Sequence, residues 1–267
     1  LAYTYEKVNP IRDDNPMPNY PGEKASPIKH IVYITKENRT YDEMMGQMKT
    51  GNGDSSIARF GLGVDVRVKR KADKDGTADS LVLTNANITP NHHKVSKQFA
   101  YSDNFYCDSD ASIHGHHWMM GVIPNEWVEV NSNTSKTEKF FSPAPGRRFP
   151  GSTGSMDPED FAETGGLWEA LARKGVPFYN FGEANETAHV REQWYDTATG
   201  AAHGVMVPMQ NALFSRTSQN YAGYNTNIPD QFRMNQFEHE FTKMWLKGKE
   251  KMPSLVTVQI PNDHTAS

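Results

Sequence analysis

Two short segments concentrate residue types suited to metal-assisted chemistry on an anionic substrate. In the first, an apolar run at 31–34 gives way to Glu37, Asn38 and Arg39. Such a run is typical of a short buried strand, and open α/β sheets bind their ligands at the carboxyl ends of strands. Carboxylate and amide oxygens suit a hard metal ion. We therefore predict that Glu37 and Asn38 bind a metal; the alternative is an exposed loop carboxylate followed by an Asn turn.

The second segment, 103–118, holds two serines, three acids and three histidines within sixteen positions. Its Ser112 lies where a predicted strand turns into a helix. Backbone N–H groups and the helix dipole at such a start attract a phosphate, and a bound cation lowers the pKa of a nucleophilic hydroxyl. Ser112 is therefore the candidate nucleophile, and a plain helix N-cap is the alternative.

Several histidines and one acid could contact an anionic substrate. His114 and His116 follow Ser112, and His92 opens another predicted helix. Imidazoles near neutral pH act as metal ligands, phosphate donors or leaving-group acids, but also as ordinary hydrogen-bonding residues. Asp263 and His264 follow a predicted strand at 255–260. This pair suits a divalent metal or an anion, and a solvated loop is the alternative.

Composition excludes several classes of protein. The chain has 267 residues, of which 36% are hydrophobic and 11% aromatic, so it can bury a sizeable core. A net charge of −4 provides no basic surface for nucleic acid, and no apolar run is long enough to span a membrane. Cys107 is the only cysteine, which rules out an internal disulfide and Cys-rich zinc sites; we expect it to be a small core residue. The sequence has no P-loop, Gly-X-Ser-X-Gly elbow or His-Glu-X-X-His motif.

Alternating strands and helices must position these residues. Strands are predicted at 30–35, 101–106, 176–181 and 255–260. Helices are predicted at 91–100, from 112 onward, at 165–174 and at 229–247, and a short helix or turn at 40–48. This alternation predicts an α/β fold with a mostly parallel sheet. We expect a linker at 1–28, a main domain at 29–267, and irregular insertions near 64–84, 131–160 and 184–228.

Four stretches resemble one known family. They are 36–42 (Lys-Glu-Asn-Arg-Thr-Tyr-Asp), 96–106, 110–118 and 261–265. Together they are similar to the bacterial phosphoesterases, which include phospholipases C and an acid phosphatase and belong to the alkaline phosphatase superfamily. The resemblance implies a three-layer α/β/α sandwich and metal-dependent hydrolysis of a phosphate ester through a phospho-serine. By this resemblance Ser112 attacks phosphorus, and Glu37 and Asn38 hold a divalent ion, whether calcium, zinc, manganese or iron.

The stretch at 110–118 resembles a subgroup of secreted or surface phosphoesterases whose domain often follows a β-propeller. This implies a secreted, periplasmic or cell-surface location, with a propeller in the same parent chain or a surface protein complex as partner. The family places further metal ligands in a C-terminal third, so we expect the fold to be incomplete at the C-terminus. The alternative function is a surface accessory or binding module that keeps the fold without catalysis.

Overall fold

The computed structural model describes nine stretches of the chain. They are residues 16–18, 26–69, 80–106, 112–121, 125–134, 158–187, 206–208, 211–226 and 228–264. These residues divide into two compact units, the first within 1–36 and 116–262 and the second within 37–115 and 263–267. Most of the predicted linker, Cys107 and the central parts of the insertions at 131–160 and 184–228 lie outside the described residues.

Seven strands and seven α-helices occur in the described residues. The strands are β1 (Ile31–Lys36), β2 (Val64–Lys69), β3 (Ser80–Ala86), β4 (Phe178–Phe181), β5 (Asn185–Thr187), β6 (Met206–Pro208) and β7 (Leu255–Ile260). The helices are α1 (Tyr41–Met45), α2 (Pro90–Gln98), α3 (Ser112–Gly121), α4 (Glu126–Thr134), α5 (Leu167–Arg173), α6 (Asn211–Phe214) and α7 (Asp230–Phe241).

The first unit is built on a parallel sheet with the strand order β1-β7-β4. The central strand β7 pairs in parallel with both neighbours. Its Val256 and Val258 are at most 1% exposed, as expected for a central parallel strand, which is covered on both faces and reads as a nearly continuous apolar run. The predicted α/β class with a mostly parallel sheet is therefore confirmed.

The edge strand β1 is in its predicted place, but it is not the buried strand that its sequence predicts. Ile31, Val32, Tyr33 and Ile34 are 41–52% exposed, and only Thr35 is buried. In the described part of the chain only β7 pairs with β1. The other side of the strand therefore has no neighbour that would remove its apolar side chains from water.

Helix α7 covers the sheet with aromatic residues. The Phe181 ring at the end of β4 meets Phe237 of α7 with the ring centroids 4.9 Å apart and Tyr221 at 5.5 Å, both edge to face. This is the favoured geometry for aromatic pairs. The helix predicted at 229–247 is confirmed, and it continues beyond Phe241 as one π-helical turn, Thr242–Leu246.

Helix α5 also forms where predicted, because its ends carry clear signals. The Glu169 carboxylate accepts a 2.9 Å hydrogen bond from the Gly166 amide at the start. Gly175 adopts a φ of +66° just after the end. This left-handed conformation is costly for residues with a side chain and typically ends a helix.

The second unit contains α1, α2 and a hairpin. The Thr89 hydroxyl donates to the carbonyl of Met44 at 3.0 Å and to that of Phe60 at 2.7 Å, which ties the start of α2 to α1 and its loop. Strands β2 and β3 pair antiparallel and occupy the ends of the predicted insertion at 64–84. The predicted helix at 91–100 is confirmed by α2, although Val95 and Phe99 on its apolar face are 49% and 63% exposed.

Three predictions of local structure are wrong. Residues 101–106 form no strand: Tyr101 hydrogen-bonds Thr50 through its hydroxyl, and the Asp103 carboxylate accepts from the Asn52 amide at 2.6 Å, so this segment ties down a loop instead of joining a sheet. The predicted irregular segment 184–228 contains α6 and the antiparallel pair β5–β6. The predicted excursion at 131–160 begins inside α4.

No helix among the described residues is long and apolar enough to cross a membrane, in agreement with the sequence.

The capping box of α1 gives a pH-dependent stability prediction. Partial burial raises the pKa of the Glu43 carboxyl, but hydrogen bonds from Arg59 and from the Thr40 amide outweigh this, and the pKa lies below its ordinary value. A carboxyl with a lowered pKa contributes stability above its unfolded pKa, near 4.3, and loses it as the pH falls through the folded pKa. We expect Glu43→Gln to lower the urea midpoint at pH 7 and to have a much smaller effect at pH 3.

Urea unfolding of both proteins at the two pH values measures this effect. Glu238→Gln, at an exposed position of α7, is the matched control and should change the midpoint little at either pH. A Glu43→Gln penalty that is equal at pH 7 and pH 3 would contradict the electrostatic origin.

Candidate functional site

The parallel strands end at one edge of the sheet, and candidate residues follow two of them. Lys36 at the end of β1 lies opposite Ile260 at the end of β7. The chain runs from β1 directly into Glu37 and from β7 through two residues to Asp263. Because the two strands are neighbours in register, the chain leaves both strands at the same edge of the sheet, just before each acid. This is the edge at which α/β proteins bind ligands.

Glu37 is buried, with only 5% of its surface exposed. Carboxylates are rarely buried unless they are paired, hydrogen-bonded or bound to a cation. The alternative of an exposed loop carboxylate is therefore wrong. Asn38 and Arg39 are half-buried, and the Arg39 guanidinium lies 4.2 Å from the centre of the Phe60 ring, a cation–π contact that holds the segment after β1.

Ser112 is the first residue of α3, as the sequence predicts. It is half-buried, whereas His114 in the same turn is 4% exposed. The first amides of a helix have no partner within the helix and carry the positive end of its dipole. A ten-residue helix that begins at Ser112 thus presents donors suited to a phosphoryl group next to a hydroxyl.

The histidines of α2 divide into two kinds. His93 is 4% exposed, and its Nε2 lies 3.0 Å from the carbonyl of Met44, which makes it a packing residue that joins α2 to α1. His92 is half-buried and remains the candidate from this helix.

Hydrogen bonds of Asn262 hold the start of the loop after β7. The Asn262 amide donates to the Asp230 carboxylate at 3.1 Å, and its side chain donates to the carbonyl of Thr226 at 2.9 Å. The next two residues, Asp263 and His264, are both half-buried. Hydrogen bonds immediately before them therefore fix their starting point.

His116 has a partner that the sequence did not reveal. Its Nδ1 lies 2.5 Å from Oε1 of Glu183, a residue with no exposed surface that follows β4 by two positions. An acid soon after a predicted buried strand was the signal at Glu37, and the same signal was present at Glu183 after Phe181. At Glu183 this signal is weaker, because the residue lies between a strand and a segment that the sequence predicts to be irregular.

The candidates are distributed unequally between the two units. Seven of them lie in the second unit, namely Glu37, Asn38, His92, Ser112, His114, Asp263 and His264. His116 lies in the first unit with Glu183. The roles predicted for Ser112, Glu37 and Asn38 would bring the three residues together around one cation, and this stays a prediction.

The metal site also stays a prediction. In the stretches that the structure describes, no three His, Cys, Asp or Glu side chains are grouped so that they could hold a metal ion. Glu37 and Asn38 are the right kind of ligand for a hard cation, but Ca²⁺ takes six to eight oxygens and Mg²⁺ six, which is more than these two residues supply.

Compared with known proteins, the chain matches no protein-family model, no curated protein and no solved structure.

Proposed function

We propose that this protein hydrolyses phosphate esters through a phospho-serine at Ser112, in a three-layer α/β/α fold of the alkaline phosphatase type. The observation that carries the proposal is the burial of Glu37 directly after a strand of the parallel sheet. A buried carboxylate at the edge where open α/β sheets bind their ligands supports a site there. The resemblance of 36–42 and 110–118 to phosphoesterases supports the reaction class.

The proposed reaction has two steps. The Ser112 hydroxyl attacks phosphorus and gives up its proton, the bond from phosphorus to the ester oxygen breaks, and the leaving oxygen takes up a proton and departs as the alcohol. Water then attacks the phospho-serine and releases phosphate, so the net reaction is hydrolysis. The amides at the start of α3 stabilise the equatorial phosphoryl oxygens, because charge stabilisation is the dominant contribution in phosphoryl transfer.

A divalent cation at Glu37 and Asn38 would neutralise phosphoryl charge and make the serine hydroxyl more acidic. We propose that His92, His114, His116, Asp263 and His264 contact the substrate phosphate or the leaving group. Calcium, zinc, manganese and iron are all candidates for the metal. A secreted or surface location and a β-propeller in the parent chain are part of the same proposal.

Metal dependence tests the role of Glu37. We expect a chelator to abolish hydrolysis of p-nitrophenyl phosphate or bis-p-nitrophenyl phosphate, and one of the four metals to restore it. Glu37→Gln keeps the size of the side chain but removes the charge, so we expect at least about a tenfold weaker metal affinity or activity, in the range seen when metal-site partners are removed.

Glu43→Gln is the control, since it removes a carboxylate from the same unit at a helix cap. It should leave activity at pH 7 nearly unchanged. Full activity of both the chelated protein and Glu37→Gln would exclude a metal at this position. A chain that is inactive towards every ester with every metal would instead favour the non-catalytic surface module.

A further inference from the structure

A buried histidine–carboxylate pair lies in the first unit. The Nδ1 atom of His116 on α3 is 2.5 Å from Oε1 of Glu183, and the two residues are 7% and 0% exposed. An ionised carboxylate can only accept a hydrogen bond, so in this contact the Nδ1–H group of His116 is the donor. The pair joins a helix to the end of a sheet strand, so it fixes the imidazole ring from one side.

The backbone around Glu183 is strained in a way that places this side chain. Gly182 and Ala184, on either side of it, have φ values of +85° and +54°. The left-handed conformation is routine for glycine but costs an alanine about 1–2 kcal/mol. Strain of this kind persists where the surrounding structure holds it, and it concentrates at functional sites.

A buried polar network holds the strained turn. The Asn180 side-chain amide donates to the Glu183 carbonyl at 2.7 Å, and its oxygen accepts from the Thr257 hydroxyl at 2.6 Å. Asn180 and Thr257 are at most 1% exposed. The turn that carries Glu183 is therefore held by both β4 and β7. This fixes the position of the carboxylate that contacts the ring of His116.

Stability alone does not account for the pair. The second carboxylate oxygen of Glu183, Oε2, is buried and accepts no hydrogen bond from any residue that the structure describes. Buried ion pairs are often less stabilising than apolar residues of the same size, and a half-satisfied polar group is costly. An apolar pair would serve the fold at least as well, so the presence of His116 and Glu183 at this place points to chemistry.

We propose that Glu183 is a positioning residue. It accepts a hydrogen bond from Nδ1–H of His116, so that Nε2 is the ring atom that contacts the phosphoryl group or the leaving oxygen of the substrate. The inference rests on the proposed function, because it assigns His116 to that site. His116 lies four residues after Ser112 on α3, hence on the same helix face and about 6 Å further along the axis. A carboxylate that orients a histidine from the rear is a recurring arrangement in catalytic and metal sites.

The first test measures which ring nitrogen of His116 carries the proton, and it does not require enzymatic activity. Nitrogen-15 NMR of the imidazole at a pH where His116 is neutral should show its proton on Nδ1. Glu183→Leu, which removes the acceptor at nearly constant volume, should shift the proton towards Nε2. Glu183→Gln should keep it on Nδ1, because the amide oxygen can still accept. A wild-type ring that carries its proton on Nε2 would overturn the proposal.

The second test measures kcat/KM on p-nitrophenyl phosphate. Glu183→Leu should lower it about 10–100-fold, in the range seen when such supporting carboxylates are removed. Glu183→Gln should recover most of this loss. The matched control is Glu240→Gln: Glu240 is another buried carboxylate of the first unit, and it accepts from Ser218 and Asn220. This control should change neither kcat/KM nor the His116 proton.

The outcomes separate the two proposals. If Ser112→Ala is inactive while Glu183→Leu keeps both wild-type kcat/KM and the wild-type proton position, only the role of Glu183 is wrong. If Ser112→Ala is as active as wild type, the phospho-serine mechanism is wrong, and the substrate role given to His116 is withdrawn with it.

Discussion

Replacing Ser112 by alanine should abolish phosphate-ester hydrolysis while leaving the fold intact. The serine oxygen is the atom that forms the covalent bond to phosphorus in the proposed reaction, and alanine offers no substitute. Removing the nucleophile of an enzyme that works by covalent catalysis costs at least about 10³-fold in kcat and up to about 10⁶-fold. Alanine is also a good helix former, so α3 should still form. Steady-state assays with circular dichroism on the same sample measure both effects.

Ser96→Ala is the matched control for this prediction. Ser96 lies on α2 in the same unit, and its hydroxyl makes only a weak contact with the Met45 sulfur at 3.1 Å in the described residues. We expect kcat/KM to stay within about twofold of the wild type, because the Ser96 hydroxyl has no role in the proposed reaction. Retention of turnover by Ser112→Ala, with a metal present, would remove Ser112 from the mechanism.

The largest effect on stability should come from Arg233. Its side chain is 0% exposed. It donates to the carbonyls of Ile228 at 2.5 Å, Gly223 at 2.6 Å, Asn225 at 2.7 Å and Ala222 at 2.9 Å. Burial lowers the pKa of this guanidinium, and the nearby Asp230 carboxylate opposes that shift. One guanidinium thus donates to four backbone carbonyls of a segment that has little regular structure of its own.

We expect Arg233→Met to destabilise the protein by about 3–5 kcal/mol, the cost of leaving buried polar partners without their charge. Methionine has a similar length, so the loss reports the missing hydrogen bonds more than a cavity. At about 2–4 °C per kcal/mol for a chain of this size, Tm should fall by roughly 6–20 °C. Thermal unfolding followed by circular dichroism measures the change.

Arg59→Met is the control for charge removal at the surface. Arg59 pairs with Glu43, but its side chain is 64% exposed, and exposed ion pairs contribute about 0–1 kcal/mol. Its Tm should therefore change by only a few degrees. If the two variants unfolded at the same temperature, the stability of the protein would not depend on the hydrogen bonds of the buried guanidinium.

The sequence by itself determined most of the regular elements. Strands β1, β4 and β7 and helices α2, α5 and α7 form where the apolar runs and helix signals predict them. These features are local, because a run of β-branched residues or a glycine such as Gly175 acts through its own backbone and nearest neighbours. The residue types at Glu37 and Ser112 likewise identified candidate site residues, because the sequence alone shows which side chains can bind a metal and which carry a hydroxyl.

Only the tertiary structure decided burial and partnership. The apolar side chains of β1 are exposed, although the sequence predicts a buried strand, because burial depends on neighbours far away in sequence. Residues 101–106 form no strand, because a strand needs a partner strand and the side chains of this segment hydrogen-bond to a loop instead. The tertiary structure pairs His116 with Glu183 across 67 residues. No local pattern encodes such a contact, because it arises when a helix and a strand end are packed together, and packing is a property of the whole chain.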